Sequence, residues 1–314
     1  MEKRALGSTG LKIAPLILGG NVFGWTADRD MSFRLLDAFV AAGLDGIDTA
    51  DVYTTFAGTA PGASESIIGE WLARGGRRDR VTLMTKVGLL QERPGLSAAN
   101  ITAAVEDSLR RMRTDYIDIY FAHRDDDKVP LDETLAAFER LVRAGKVRAT
   151  GASNYSATRL RAAFQVGRDK KLHSYDVLQP RYNLYDRKEF ETDLAPIIQA
   201  EGLGVTPFFG LAAGFLTGKY RTLADTEGRA RKARVAEYFT PRGERILKAL
   251  DVVAARHNTK PAQIALAWVM ARPHVTASIA SATNTDQLDE LLGALRVKLS
   301  DADRATLEEA SREG

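Results

Sequence analysis

The chain has 314 residues, 45% of them apolar, which is enough to bury a large core. Its 44 Lys and Arg nearly balance 41 Asp and Glu, for a net +3; that is too even for a nucleic-acid binder, whose basic residues cluster on one face. It has no cysteine, which excludes disulfides, thiol nucleophiles and thiolate metal sites.

The opening stretch, MEKRALGSTGLKIAPLILGG, holds no apolar run long enough for a signal peptide. No later segment approaches the roughly 20 apolar residues of a membrane span. These features predict a cytoplasmic protein with no membrane partner. Within the opening stretch RALGSTGLKIA reads as a small hairpin turning at Gly7 and Gly10. Apolar β-type runs then recur: LILGG (16–20), GIDTA (46–50), VTLMTK (81–86), YIDIYFAH (116–123), VRATGAS (147–153), YDVLQP (175–180), GVTPFF (204–209) and VTASIA (275–280). Helical patterns fill the gaps. SAANITAAVEDSLRRM has Ser97 as N-cap and a stripe of Ile101, Val105, Leu109 and Met112. LDETLAAFERLVRAG buries Leu135, Phe138, Leu141 and Val142 and stops at Gly145. PAQIALAWVMA starts at Pro261, which suits a first helical turn, and TDQLDELLGAL repeats leucine at 288, 291, 292 and 295. A last helix follows Ser300. These stripes build the core and do no chemistry.

Alternating short strands and helices imply a parallel sheet, either open and doubly wound or closed into a barrel. Eight units favour a single (β/α)8 barrel spanning residues 1–314, with the hairpin capping its bottom and the last helix added on its surface. The one long irregular stretch is about 210–242, and a loop of that length is usually functional. It contains the one basic cluster, GRARKAR (228–234).

The active site of such a barrel lies at the carboxyl ends of its strands. Reading that position along the chain gives Asp48, Lys86, His123, Ser153 with Asn154, Gln179 and Phe208, with Tyr53 just beyond Asp48. Each has an ordinary explanation singly, as a solvated strand end or a helix cap; together on one rim they form a coherent set. A phenol has a pKa of about 10, and a nearby ammonium stabilises its phenolate. Lys86, held by Asp48, could supply that charge to Tyr53, while His123 could orient a carbonyl. Such a set moves a proton to or from an oxygen at neutral pH. The matching hydride transfer needs a nicotinamide, because no side chain performs it.

Other nucleotide and metal signatures are absent. No GxGxxG follows a strand. GFLTGK differs from a P-loop in glycine spacing and in having Tyr220 for Ser or Thr. The four histidines form no HxxxH pair, so no metal site is expected.

The motifs GIDTADVY (46–53), MTKVG (84–88), DYIDIYFAHR (115–124), GASNYSATRL (151–160), QPRYNLYDR (179–187), GFLTGKY (214–220) and ATNTDQLDEL (282–291) resemble, in order, those of the aldo-keto reductases. The resemblance is strongest to bacterial members whose seventh-strand loop carries LTGKY. It implies reduction of aldehydes or ketones with a nicotinamide cofactor. Tyr53 would be the general acid, Lys86 would lower its pKa, Asp48 would anchor Lys86, and His123 would orient the substrate. Ser153, Asn154 and Gln179 would bind the carboxamide, Phe208 would stack on the nicotinamide, and the backbone at Gly20 and Asn21 would approach it. The segment Leu211, Gly214 to Lys219, with Arg229, would cover the pyrophosphate; Arg231 and Lys232 lie in the same loop. Ser281, Thr283, Gln287 and Glu290 would face the adenosine. The family mostly uses NADP(H), and Arg229, Arg231 or Lys232 could reach its phosphate, so the resemblance implies NADP(H) ahead of NAD(H). The margin is narrow, because Thr283 stands where many relatives have a basic residue and Leu291 where they have Asn. Trp25 and Phe56 are expected walls for a small carbonyl substrate, and a monomer is expected. Two alternatives remain at this point: a cofactor-binding regulatory or redox-sensing barrel, and a sugar or alcohol dehydrogenase running oxidatively.

Overall fold

A computed structural model describes residues 2–229 and 231–313. A two-stranded hairpin, β1 (Arg4–Ala5) and β2 (Lys12–Ile13), precedes eight parallel strands. These are β3 (Leu16–Gly19), β4 (Gly46–Asp48), β5 (Thr82–Val87), β6 (Ile117–Ala122), β7 (Val147–Ser153), β8 (Val177–Gln179), β9 (Gly204–Val205) and β10 (Ser278–Ala280). Strands β3 to β9 neighbour one another in chain order, and β10 pairs with β3. The last gap is bridged by backbone bonds from Ala277 N to Val205 O (3.2 Å) and from Ile279 N to Pro207 O (2.9 Å). The sheet therefore curls into a (β/α)8 barrel, as expected.

Helices α1 (Arg29–Ala41), α2 (Ala63–Leu72), α3 (Ala98–Met112), α4 (Leu131–Arg143), α5 (Ala157–Lys170) and α6 (Ala195–Glu201) connect the early strands. Then come α7 (Lys232–Ala236), α8 (Pro241–Arg256), α9 (Pro261–Met270), α10 (Thr285–Gly293) and α11 (Asp301–Ser311). The local signals act where the sequence put them. Ser97 Oγ accepts from Asn100 N, Pro261 opens α9, Gly145 follows α4 at φ 70°, and Ser300 caps α11. No helix is long and apolar enough to cross a membrane among the described residues.

Two apolar layers result. The outer one lies between sheet and helices and holds the predicted stripes, including Ile101, Val105, Leu135, Phe138 and Leu288. The inner one fills the barrel with Ile17, Met84, Ile119, Phe121, Ala149, Val177 and Ile279, and Leu6 and Ile13 of the hairpin close its bottom. Gly7 shows how tightly the cap fits: at φ 56°, a Cβ there would stand 2.3 Å from Gly204 N.

The inner layer positions the site by strand period alone. Residues two apart on a strand face the same way. Met84 in the barrel therefore sends Lys86 inward, Phe121 sends His123, Ala149 sends Ser153, and Val177 sends Gln179. Gly46, whose Cβ would meet Ile13 and Ile17, does the same for Asp48. The bottom of the barrel is apolar and its top is polar.

The stretch 210–242 is less irregular than its composition predicts. It holds 3-10 turns at Ala212–Thr217 and Leu223–Thr226, then α7. Phe209, Ala212 and Ala213 adopt φ of 63°, 47° and 58°, a region non-glycine residues avoid. Fully buried Phe215 and Leu216 hold the segment in that shape.

Candidate active site

At the top of the barrel a carboxylate gathers three donors. Asp48 Oδ2 accepts from Lys86 Nζ (2.7 Å) and from the Tyr53 hydroxyl (3.2 Å), and Oδ1 accepts from Gln179 Nε2 (2.9 Å). Lys86 Nζ also donates to Thr49 O (2.7 Å) and to the Tyr53 oxygen (2.8 Å). All three ammonium protons are thus directed. Asp48, Lys86 and Gln179 are buried, and the Tyr53 ring is partly open to solvent. His123 meets the Tyr53 ring edge-on, with centroids 5.9 Å apart. Its Nδ1 is buried without a hydrogen-bond partner.

Burial sets the protonation states. It pushes the Tyr53 phenol well above its ordinary value, and the Asp48 charge adds to the push. The sequence expects Lys86 to lower the phenol; in the resting site the direction is set instead by burial, through the water the phenolate would lose, and by the facing Asp48 charge. Burial lowers Lys86, opposed by Asp48. His123 is driven well below its ordinary value by burial, then by Lys86 and Arg124, so its imidazole is neutral at pH 7. The site therefore holds a protonated phenol, a neutral imidazole and a compensated ion pair.

Around this centre the expected neighbours assemble. Ser153 Oγ donates to Gln179 O (3.0 Å), and Asn154, left-handed at φ 54°, donates to His123 O (2.9 Å) and Ser153 Oγ (3.1 Å). Gly20 N donates to Asp48 O (2.7 Å), and Ser281 Oγ donates to Asn21 Oδ1 (2.6 Å). Phe208 packs partly buried beside Phe209. Trp25 and Phe56 form an edge-on pair with centroids 4.9 Å apart, and Phe56 is 69% exposed.

The farther residues are already engaged elsewhere. Thr283 donates through N and Oγ1 to Gln287 Oε1 (2.9 and 3.1 Å). Glu290 is not free: Lys260 Nζ donates to it at 2.8 Å. Lys232 pairs with Glu227. Lys219 lies over the Tyr220 ring at 4.9 Å, Leu211 O accepts from Gly214 N, and Arg229 is exposed. A groove of about 460 Å³ between α5 and α6, lined by Arg161, Arg168 and Glu201 among others, contains none of these residues.

Sequence reasoning missed three supports. Thr49 gives its carbonyl to Lys86, and its hydroxyl donates to Ser64 Oγ (2.9 Å), which donates to Gly20 O (2.8 Å). Lys260 was also missed. The polar run Ser64–Glu65–Ser66 opening a helix that continues Ile67–Ile68 was the available signal for Ser64.

The aldo/keto reductase family model matches residues 15–312. The chain belongs to the aldo/keto reductase family. The family consists of oxidoreductases that use nicotinamide cofactors, generally NADPH. Among its relatives is the Bacillus subtilis "Uncharacterized oxidoreductase YrpG", 35% identical, with 95% of this chain and 92% of the relative covered. A "Probable voltage-gated potassium channel subunit beta" from rice is 32% identical over 95% and 92% of the two chains. "Protein tas" of Escherichia coli is 31% identical over 98% and 97%.

A nicotinamide fits the donor set. Ser153, Asn154 and Gln179 stand on one rim with most of their donor hydrogens spent on one another, His123 O and Asp48, which leaves amide oxygens of the kind that accept from a carboxamide NH2. At Gly20, a Cβ would stand 2.9 Å from Ser64 Oγ and 3.2 Å from Asp48 O, so only glycine lets this strand end pack against the Asp48 strand.

Proposed function

We propose that this member of the family is a carbonyl reductase, a single-barrel, monomeric cytoplasmic enzyme that uses NADPH in preference to NADH. The observation carrying the proposal is the Asp48–Lys86–Tyr53 chain, with a protonated phenol opening to solvent beside a neutral imidazole.

The bound nicotinamide would supply hydride to the carbonyl carbon. The residues of the chain do the rest. Ser153, Asn154 and Gln179 hold the carboxamide, and Phe208 presents a ring face to the nicotinamide. His123, neutral, donates one hydrogen bond to the carbonyl oxygen and adds no charge that would compete with Lys86. Tyr53 gives its proton to that oxygen as negative charge builds on it. The phenolate left behind accepts the hydrogen bond that Lys86 Nζ already makes at 2.8 Å. The role of Lys86 is therefore to stabilise the spent acid; the resting phenol stays protonated, which suits reduction. Trp25 and Phe56 supply an apolar wall for the rest of the substrate.

For the cofactor, Leu211, Gly214, Lys219 and Arg229 are assigned to the pyrophosphate, and Ser281, Thr283, Gln287 and Glu290 to the adenosine. Lys260 favours NADPH. Paired with Glu290, it removes the bare carboxylate that would repel a 2′-phosphate.

A second reading is a cofactor-binding barrel with little turnover, favoured by the relative named as a potassium channel β subunit. Oxidation of NADPH followed at steady state over a panel of nitrobenzaldehydes separates the two. Turnover on several aldehydes is expected. Tight NADPH binding with no turnover on any would replace the first reading with the second, and alcohol oxidation alone would reverse the direction.

A further inference from the structure

Behind Lys86, on the outer face of β5, lies a second charged cluster that the proposed mechanism does not use. Thr85 and Tyr120 are register partners on β5 and β6 and point away from the barrel interior. Thr85 Oγ1 donates to Glu65 Oε1 (2.6 Å) and Arg111 Nε donates to Glu65 Oε2 (2.6 Å). Glu65 is satisfied on both oxygens. Asp51 is not: it is 2% exposed and its Oδ1 has no partner, and the hydroxyl of fully buried Tyr120 has none either. Asp51 is tied to the active-site strand by its own backbone, N donating to Lys86 O at 3.3 Å.

A buried carboxyl with one oxygen unpartnered is costly, so one kept beside the strand that carries Lys86 calls for a reason. We propose that Asp51 is a positioning residue, a buried carboxyl that reinforces the charge of Lys86 from behind and, by gaining or losing its proton, sets the pH range in which the Tyr53–Lys86 pair works. The proposal rests on the function given above.

The electrostatics agree with the geometry. Burial, then the Glu65 charge, pushes Asp51 up to about 7, with Arg111, the Val52 amide and Arg93 pulling the other way. Asp51 thus changes charge near neutrality. Ionised Asp51 and Glu65 both favour the charged form of Lys86. Asp51 acts through space, since all three Lys86 protons are directed to Asp48, Thr49 and Tyr53. The groups facing Asp51 are Glu65 from α2, Arg111 from α3, Arg93 before α3, Lys86 from β5 and Tyr120 from β6.

The test uses the intact protein with ¹⁵N-labelled lysine, the Lys86 signal being assigned by its loss in Lys86→Met. In Asp51→Asn the Lys86 titration midpoint should move down by roughly one pH unit, the lower end of the effect of a nearby charge. The inflection of kcat near neutral pH should disappear, and Asp51→Glu should restore both. If Asp51→Asn fails to fold, the wild type serves: the Lys86 signal should show a second, smaller step near pH 7 as Asp51 ionises, and a signal flat through that range would overturn the proposal. A variant that melts earlier while its Lys86 midpoint and kcat profile match the wild type would overturn the proposal. If the wild type reduces no carbonyl, the function reading fails, while the Lys86 midpoint still decides the role of Asp51.

Discussion

The two faces of strand β5 carry buried charge in opposite ways. Inside the barrel, Lys86 and Asp48 form one ion pair in which every ammonium proton and both carboxylate oxygens are used. Outside, Glu65 and Asp51 share the neighbourhood of Arg111, and only Glu65 is bonded to it. The inner cluster is charge-balanced before anything binds, so its mobile proton rests on the phenol of Tyr53. In the outer cluster burial and the Glu65 charge outweigh Arg111 and Arg93, so Asp51 takes up or gives off its proton near neutral pH. One face is built to give a proton to a substrate, the other to exchange one as the pH changes.

The sharpest way to break that contrast is Tyr53→Phe. The ring remains and only the hydroxyl is lost, with its bonds to Asp48 and Lys86. NADPH affinity should therefore be unchanged, and stability in thermal melts should fall by no more than the loss of those hydrogen bonds, roughly 1–3 kcal/mol. General acid catalysis contributes about 10²–10⁴-fold, and kcat should fall at least that far. Turnover within a few-fold of wild type would remove Tyr53 from its role.

Lys86→Met should be as damaging to activity and should also reach stability. Removing one partner of a buried pair costs about 3–5 kcal/mol because the other charge is stranded; Asp48 would keep only Tyr53 and Gln179. Any residual activity should lose its high-pH limb to still higher pH, since nothing then stabilises the phenolate. A profile and melting temperature like those of the wild type would make Lys86 a bystander.

The outer face is sharpened by stability against pH. The Asp51 carboxyl is raised on folding, to about 7, so its contribution is present below the unfolded value near 4 and is lost as pH rises through 7. The loss amounts to roughly 4 kcal/mol if the whole shift is realised. Asp51→Asn should therefore gain on the wild type steadily from pH 4 to pH 7.5 in thermal melts. His123, lowered on folding, contributes stability that is present above 6.5 and lost as pH falls. It is common to both proteins, so it cancels in the comparison. A difference that does not vary with pH would place the ionisation of Asp51 outside this window.

How much of this was legible in the chain follows the same division. Period two along each strand, with an apolar residue two before Asp48, Lys86, His123, Ser153 or Gln179 in most cases, already sends these side chains into one pocket. The outer cluster was not legible. Asp51 sits in a turn and Glu65 in the first turn of α2, where acidic residues are commonplace for helix-dipole reasons; only packing leaves one bonded and the other orphaned. The weight of burial at Tyr53 was hidden for a related reason, because the ammonium is visible in sequence and the loss of water is not. The shape of 210–242 was hidden too, since nothing in Phe209, Ala212 or Ala213 announces a left-handed backbone. Glu290 reads as an open carboxylate until Lys260, thirty residues earlier, is found on it.

The smallest effect concerns the far end of the proposed cofactor site, away from both clusters. Thr283 spends its hydroxyl and its amide on Gln287, leaving at most one neutral hydrogen bond, worth about 0.5–1.5 kcal/mol, for a 2′-phosphate. A guanidinium makes charge-assisted bonds of about 1.5–3 kcal/mol each. At an exposed position part of that is lost to screening. Thr283→Arg should therefore sharpen NADPH over NADH by about tenfold, near 1.4 kcal/mol, and Lys260→Met should blunt it by less, because Glu290 is then bare. Fluorescence titration of both cofactors against the wild type and the two variants measures this directly. Tighter NADH binding by the wild type would reverse the assigned preference. An Arg variant that changes neither affinity would mean that Thr283 does not face the adenosine.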